Sequence, residues 1–295
     1  MNISPHFKAV LQALFVTFLW STSWVLIKLG LADIPALTFA GLRYSLAFLC
    51  LLPFAWRPAH LATLRKLSGR GWLRLIGLGL LFYSVTQGAQ FVGLAYLPAV
   101  TINLLLSFTN IIVPLLGLFF LAESPTRWQW LGGGLSLAGA ALYFYPAAVP
   151  PGQILGLIVV GIGVLANAGS AVLGRHVNRA GHVSPLIVTL VSMGVGSLAL
   201  LTAGIVTQGW PALSLSNWVI IGWLALVNTA FAFTLWNLTL RTLSAMESSL
   251  INNAMLLQIP FLAWLFLGET ITGRELIGLA LAGVGILVVQ LRGKR

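Results

Sequence analysis

The stretch "TINLLLSFTNIIVPLLGLFFLAE" fills residues 101–123, and its reading decides the fold. It is apolar enough, and at about 20 residues long enough, to cross a bilayer as a helix. Yet Asn103, Ser107 and Asn110 recur at i, i+4 and i+7, which places them on one helical face. Pro114 follows and removes a backbone donor. A second stretch, "ESSLINNAMLLQIPFLAWLFLGE" at 247–269, has the same length and the same ending. The two align without gaps at an offset of 146 residues. Leu104, Pro114, Leu116, Phe120, Leu121 and Glu123 then match Leu250, Pro260, Leu262, Phe266, Leu267 and Glu269. A shorter echo links "STSWVLIK" at 21–28 with "AGSAVLGR" at 168–175, offset by 147.

Working outward, only 7% of residues are charged and 59% are hydrophobic. Soluble domains carry about 25% charged residues, so this composition excludes a water-soluble core and predicts a polytopic membrane protein. Ten apolar stretches can span: 9–29, 35–55, 72–96, 98–121, 128–146, 152–174, 184–207, 217–239, 244–267 and 274–291. The first lacks a signal-peptide cleavage pattern and reads as a retained span. No connection is long enough for a separate soluble domain. Cys50 is the single cysteine, which excludes an internal disulfide.

The net charge of +11 invites a nucleic-acid reading, but the basic residues lie in short loops beside apolar spans. With a cytoplasmic N-terminus and ten spans, 13 of the 16 Lys and Arg residues fall on the inner side. Only Lys28 and Arg274 fall outside, and Arg43 lies within a span. Such a bias predicts both termini inside. The expected architecture is therefore all-α and integral to the membrane. Ten transmembrane helices form two five-helix repeats, residues 1–147 and 148–295. Five is odd, so the repeats have inverted topology. Inverted repeats are a recurring plan of secondary transporters, with the substrate near the midplane.

A polar side chain facing lipid is costly, so the stripe must turn inward. It either ties helices together or lines a wetted cavity, and its recurrence in both halves favours the cavity. At ~1.5 Å per residue, Ser107 and Asn253 each fall roughly 13 Å deep from opposite faces. The expected cavity residues are Trp20, Trp24, Tyr83, Gln87, Asn103, Ser107, Phe108, Asn110, Asn228, Phe231 and Asn253. The amides and hydroxyls serve the polar ends of a solute and the rings stack on an aromatic part. Pro114 and Pro260 are expected as paired gating hinges. Arg43 and Glu247 are the intramembrane charges, with Arg43 read as a structural residue and Glu247 as a partner of Arg241.

Several chemistries lack their residues. There is no chain of buried carboxylates for a proton relay and no phosphate-binding G-x-x-x-x-G-K-[ST] loop. No H-E-x-x-H or catalytic constellation is present, so neither an enzyme, a metal site nor a cofactor is expected. A largely neutral pocket suits a neutral or zwitterionic solute.

With these residues in view, the chain resembles the EamA-type transporters of the drug/metabolite transporter superfamily. The resemblance rests on "LWSTSWVLIKLGL" (19–31), "PALTFAGLRYSLAFL" (35–49), "GLAYLPAVTINLLLSFTNIIVPLLGLFFLAESPTRWQWLGG" (93–133) and "FLGETITGRELIGLALAGVGILVV" (266–289). Within the superfamily it is most similar to the YddG-type exporters of aromatic amino acids. That resemblance implies alternating-access export of amino acids and related compounds across a bacterial inner membrane. The expected partners are a small-molecule substrate and lipid, with no nucleic acid and no cofactor, and a monomer is one expected state. A multidrug or cation exporter and a channel-like pore are the competing readings. Span 1 departs from the small four-span multidrug relatives in carrying no embedded glutamate.

Overall fold

A computed structural model describes residues 4–55, 58–120, 126–146, 150–179, 183–239, 242–243 and 251–292. Every regular element among them is helical. In chain order these are α1 (Pro5–Gly30), α2 (Ala36–Ala55), α3 (Pro58–Arg65), α4 (Gly69–Gly79), a π-helical turn (Leu80–Thr86) and α5 (Gln87–Tyr96). There follow α6 (Ala99–Ser107), α7 (Thr109–Phe120), α8 (Arg127–Tyr143), α9 (Pro151–Arg179) and α10 (Pro185–Gln208). The chain continues through α11 (Leu215–Ala225), a second π-helical turn (Leu226–Phe231), α12 (Ala232–Thr239), α13 (Met255–Leu267) and α14 (Gly273–Arg292).

Five of these elements begin 146 residues after an earlier one: 5 and 151, 69 and 215, 80 and 226, 109 and 255, 127 and 273. Local chemistry sets several of these starts. Pro5 and Pro151 open their helices, where a missing N–H costs nothing. Ser68 and Ser214 each cap the next helix by accepting from the N–H three residues on. Thr126 with Gln129, and Thr272 with Glu275, form reciprocal capping boxes.

Six helical stretches are long and apolar enough to cross a membrane: Pro5–Gly30, Ala36–Phe54, Gly69–Tyr96, Pro151–Gly174, Pro185–Gln208 and Leu215–Trp236. They match the expected spans 1, 2, 3, 6, 7 and 8. The other four expected spans are helical over most of their described residues, but α8 has 17 residues and α14 carries Arg274, Glu275 and Arg292. The fourth and ninth are interrupted.

The chain forms two compact units, and neither is a sequence half. One comprises Met1–Lys28, Tyr96–Leu155 and Phe231–Arg295. Within it α8 packs on α14 through glycines. A methyl on Gly139 would strike the backbone of Gly278 and Ala282, and one on Gly285 would strike Gly132 and Ser136. The two sets of contacts are reciprocal at the 146-residue offset. As α8 advances, its partners on α14 recede, so the helices run antiparallel. The Ser136 hydroxyl donates to the Ala282 carbonyl at 3.2 Å in the same seam.

The other unit comprises Leu29–Ala95 and Gly156–Ala230. Here α2 and α10 pack antiparallel, with Gly41 against Leu201, Gly204 against Leu37 and Thr38, and Gly194 against Phe48. The Ser84 hydroxyl of the first π turn donates to Gly196 of α10 at 2.8 Å. Arg43 of α2 reaches the second π turn.

Candidate functional site

The helix expected over 98–121 ends at Ser107, turns at Phe108 and restarts at Thr109. The ninth span turns at Asn253 and Ala254 before α13 begins at Met255. At the 146-residue offset these are equivalent positions. The interruptions therefore do not fall at Pro114 and Pro260, which sit inside α7 and α13, six residues after Phe108 and Ala254. A proline ring presses on the carbonyl four residues earlier. Those carbonyls belong to Asn110 and Leu256, in the first turn of each restarted helix.

Both interrupted helices belong to the first unit, where α6 and α13 lie antiparallel. The Asn103 amide donates to the Met255 carbonyl at 3.4 Å. At the other end of the pair the Glu269 carboxylate accepts from the N–H groups of Ala99 and Val100, at 2.7 and 3.2 Å. Gly268 makes this reach possible. It holds φ +66° at the end of α13, a left-handed conformation that glycine adopts without strain. Lys28 donates to the Leu97 carbonyl at 2.8 Å, next to the same helix start.

On α1, Thr17 and Ser21 form a one-turn polar stripe that meets Gln258 of α13. The Ser21 hydroxyl lies 2.9 Å from Gln258 Oε1 and 2.8 Å from the Thr17 carbonyl. Gln258 Nε2 donates to Thr17 Oγ1 at 3.3 Å. The Ser21 proton is shared between the Thr17 carbonyl and Gln258 Oε1. Beside it in sequence, Trp20 packs against Phe233 and Trp236 with ring centroids 5.3 and 5.2 Å away. Its buried indole N–H has no hydrogen-bond partner among the described residues. The polar cluster and the Trp20 N–H thus lie on adjacent residues of α1.

The second unit holds its own polar cluster. Arg43 is 5% exposed, donates from Nε to Thr229 Oγ1 at 3.1 Å, and lies over the rings of Tyr44 and Phe91 at 5.1 and 6.0 Å. The Thr229 hydroxyl in turn donates to the Leu224 carbonyl, five residues back in the π turn. Tyr44 donates to Gln87 Oε1 at 2.7 Å and packs edge-on against Tyr83.

Of the expected site residues, Trp20, Trp24, Asn103, Ser107, Phe108, Asn110, Phe231 and Asn253 fall in the first unit. Tyr83, Gln87 and Asn228 fall in the second. Trp24, Asn103 and Ser107 are buried, Phe108, Asn110 and Asn253 half-buried, and Phe231 is 50% exposed. The Ser107 hydroxyl turns back to the Leu104 carbonyl at 2.6 Å. Glu247 lies outside the described residues. Thr17, Ser21, Tyr44, Thr229 and Gln258 are not among the expected site residues. The Thr17–Ser21 spacing of four on α1 was the available signal. Among the described residues no group of three or more His, Cys, Asp or Glu could hold a metal.

The EamA-like transporter family matches this chain twice, over residues 7–145 and 154–291. The chain is 29% identical over 221 residues to an uncharacterized transporter, YvbV, of Bacillus subtilis, covering 72% of this chain and 68% of that one. It is 28% identical to the uncharacterized inner membrane transporter YedA of Escherichia coli, covering 78% and 72%. It is 26% identical to a probable amino-acid metabolite efflux pump of Salmonella typhimurium, covering 76% and 75%. A solved structure with 19% identity superposes at a TM-score of 0.68 over 98% of this chain and 99% of the other, which shows the shared fold.

Proposed function

The chain belongs to the EamA-like transporter family, and from that premise we propose that it exports neutral amino acids, aromatic ones included, across a bacterial inner membrane. In this reading ten spans form two inverted five-helix repeats with both termini cytoplasmic. The antiparallel pairing of α2 with α10, α6 with α13 and α8 with α14 supports the inversion. The relative named an inner membrane transporter supports the location. The relative named an amino-acid metabolite efflux pump supports the substrate class.

The observation that carries the reading is the pair of equivalent helix breaks with the Thr17–Ser21–Gln258 polar cluster close by in the same unit, next to a Trp20 N–H that has no partner among the described residues. Broken helices are how secondary transporters expose backbone and polar groups to a solute inside the bilayer. A zwitterion can engage both groups. Its ammonium donates to Gln258 Oε1 and Ser21, and its carboxylate accepts from the Trp20 N–H. The rings of Trp20, Phe233 and Trp236 offer faces for an aromatic side chain. Alternation follows if the restarted halves, α7 and α13, tilt about Phe108 and Asn253–Ala254.

The test is uptake and counterflow of single labelled amino acids in proteoliposomes, with and without a pH gradient. Saturable counterflow of at least one neutral amino acid is expected. If none moves and none exchanges, the reading fails. Movement of a cationic dye alone replaces it with a cation exporter, and non-saturating flux replaces it with a pore.

A further inference from the structure

The second unit contains a pocket of about 420 Å³ where α3 and α4 meet the end of α9 and the start of α10. Its wall carries two exposed cations, Lys66 and Arg74, together with Ser68 and Gly71 of the α4 start. Its floor is apolar, continuous with the buried cluster of Leu75, Leu78, Val177 and Val188. No acidic residue occurs in the sequence between Asp33 and Glu123, or between Glu123 and Glu247. The elements forming the pocket therefore bring no carboxylate of their own to neutralise it. The residue after the lining Val183, Ser184, caps α10 without a side-chain hydrogen bond, and its buried hydroxyl has no partner among the described residues. On the first turn of α4, Trp72 and Leu73 are exposed, 37% and 70%.

We infer that this pocket binds a phosphate group, and specifically the headgroup of an anionic phospholipid. The concavity gives the phosphate three sides. Lys66 supplies a compact ammonium and Arg74 a guanidinium fork, the two side chains that hold phosphate oxygens with charge-assisted hydrogen bonds. Basic recesses between membrane helices bind anionic headgroups for this reason. Trp72 and Leu73 beside the recess offer an amphipathic ring and an apolar surface to the interfacial region and acyl chains. In the proposed orientation the pocket lies at the cytoplasmic ends of its spans. A free phosphate would satisfy the same cations but would leave the apolar floor and the α4 flank without a partner, so the lipid is favoured. The inference stands whether or not amino acids are transported.

The experiment titrates the purified full chain in detergent with phosphatidylglycerol or phosphatidylcholine and counts retained lipid by native mass spectrometry. Inorganic phosphate is the competitor. Phosphatidylglycerol is expected to be retained preferentially. Lys66→Gln with Arg74→Gln should weaken it roughly thirtyfold, as two interfacial cations predict. The charge-conserving pair Lys66→Arg with Arg74→Lys should restore it, which separates lost charge from misfolding. Arg127→Gln, on α8 in the other unit, should change nothing. Displacement by millimolar phosphate would keep the phosphate site but overturn the lipid assignment. Equal retention of both lipids, or an unchanged affinity in the double Gln variant, overturns the proposal, as does an equal loss in Arg127→Gln.

Discussion

Trp20 shows how one residue separates binding from packing. Its ring is held by Phe233 and Trp236, while its N–H has no partner among the described residues. Trp20→Phe keeps an aromatic ring and deletes the donor. If the N–H holds a substrate carboxylate, KM for the exported amino acid should rise about tenfold, the worth of one hydrogen bond to a charged group. The melting temperature should stay within a degree or two. A matching loss of stability with unchanged KM would return Trp20 to packing. Arg43 makes the opposite case. Thr229→Val is close to isosteric, but it leaves the Arg43 Nε–H buried without an acceptor, at a cost of about 1–3 kcal/mol. Thr86 makes the same five-residue back-bond, to Leu81, with no arginine hydrogen-bonded to it among the described residues. Thr86→Val should therefore cost less than Thr229→Val in the same thermal melt. The order reversed would mean that Arg43 draws little from Thr229.

The helices owe their ends to short signals and their packing to small residues. The spacing of Asn103, Ser107 and Asn110 was legible in the sequence as a helical period, although the break leaves Asn110 on α7 and the other two on α6. The break at Phe108 was not, because nothing in "LLSFTNI" (105–111) forbids a helix. Pro114 sits six residues beyond that break, inside α7, and so does not mark it. The repeated capping boxes at Thr126 and Thr272 were readable as T-x-x-Q and T-x-x-E, and they fix the boundaries better than hydropathy does. The glycine seam also carries a prediction. Gly139→Val and Gly285→Val each place a side chain against the backbone of the partner helix, whereas Gly134 has open space around it. Both seam variants should destabilise by several kcal/mol, as overpacking with backbone shifts does. Gly134→Val should be mild. Comparable melts for all three would mean that α8 and α14 separate freely.

At the scale of the whole molecule, the question is what the 146-residue periodicity does. Element starts, caps, π turns and breaks recur at that interval, and the repeat-related helix pairs run antiparallel. Neither compact unit is a sequence half, because helices from each half pack on their counterparts from the other. An ancestral duplication with parallel halves would leave equivalent residues on the same side of the membrane. Inverted halves must leave them on opposite sides, and only that arrangement lets one set of contacts serve the inward-open state and its equivalent the outward-open state. Residues 6 and 152 test this, since both lie in the first turn of a repeat, are exposed, and differ by that interval. With Cys50 replaced by Ser, His6→Cys and Gly152→Cys give single labelling sites. An impermeant maleimide applied to spheroplasts should modify the cysteine at 152 at once, and the one at 6 only after the membrane is permeabilised. Labelling of both from one side would remove the inversion. With it would go the reason for pairing Phe108 with Asn253–Ala254 as the two ends of an alternating gate.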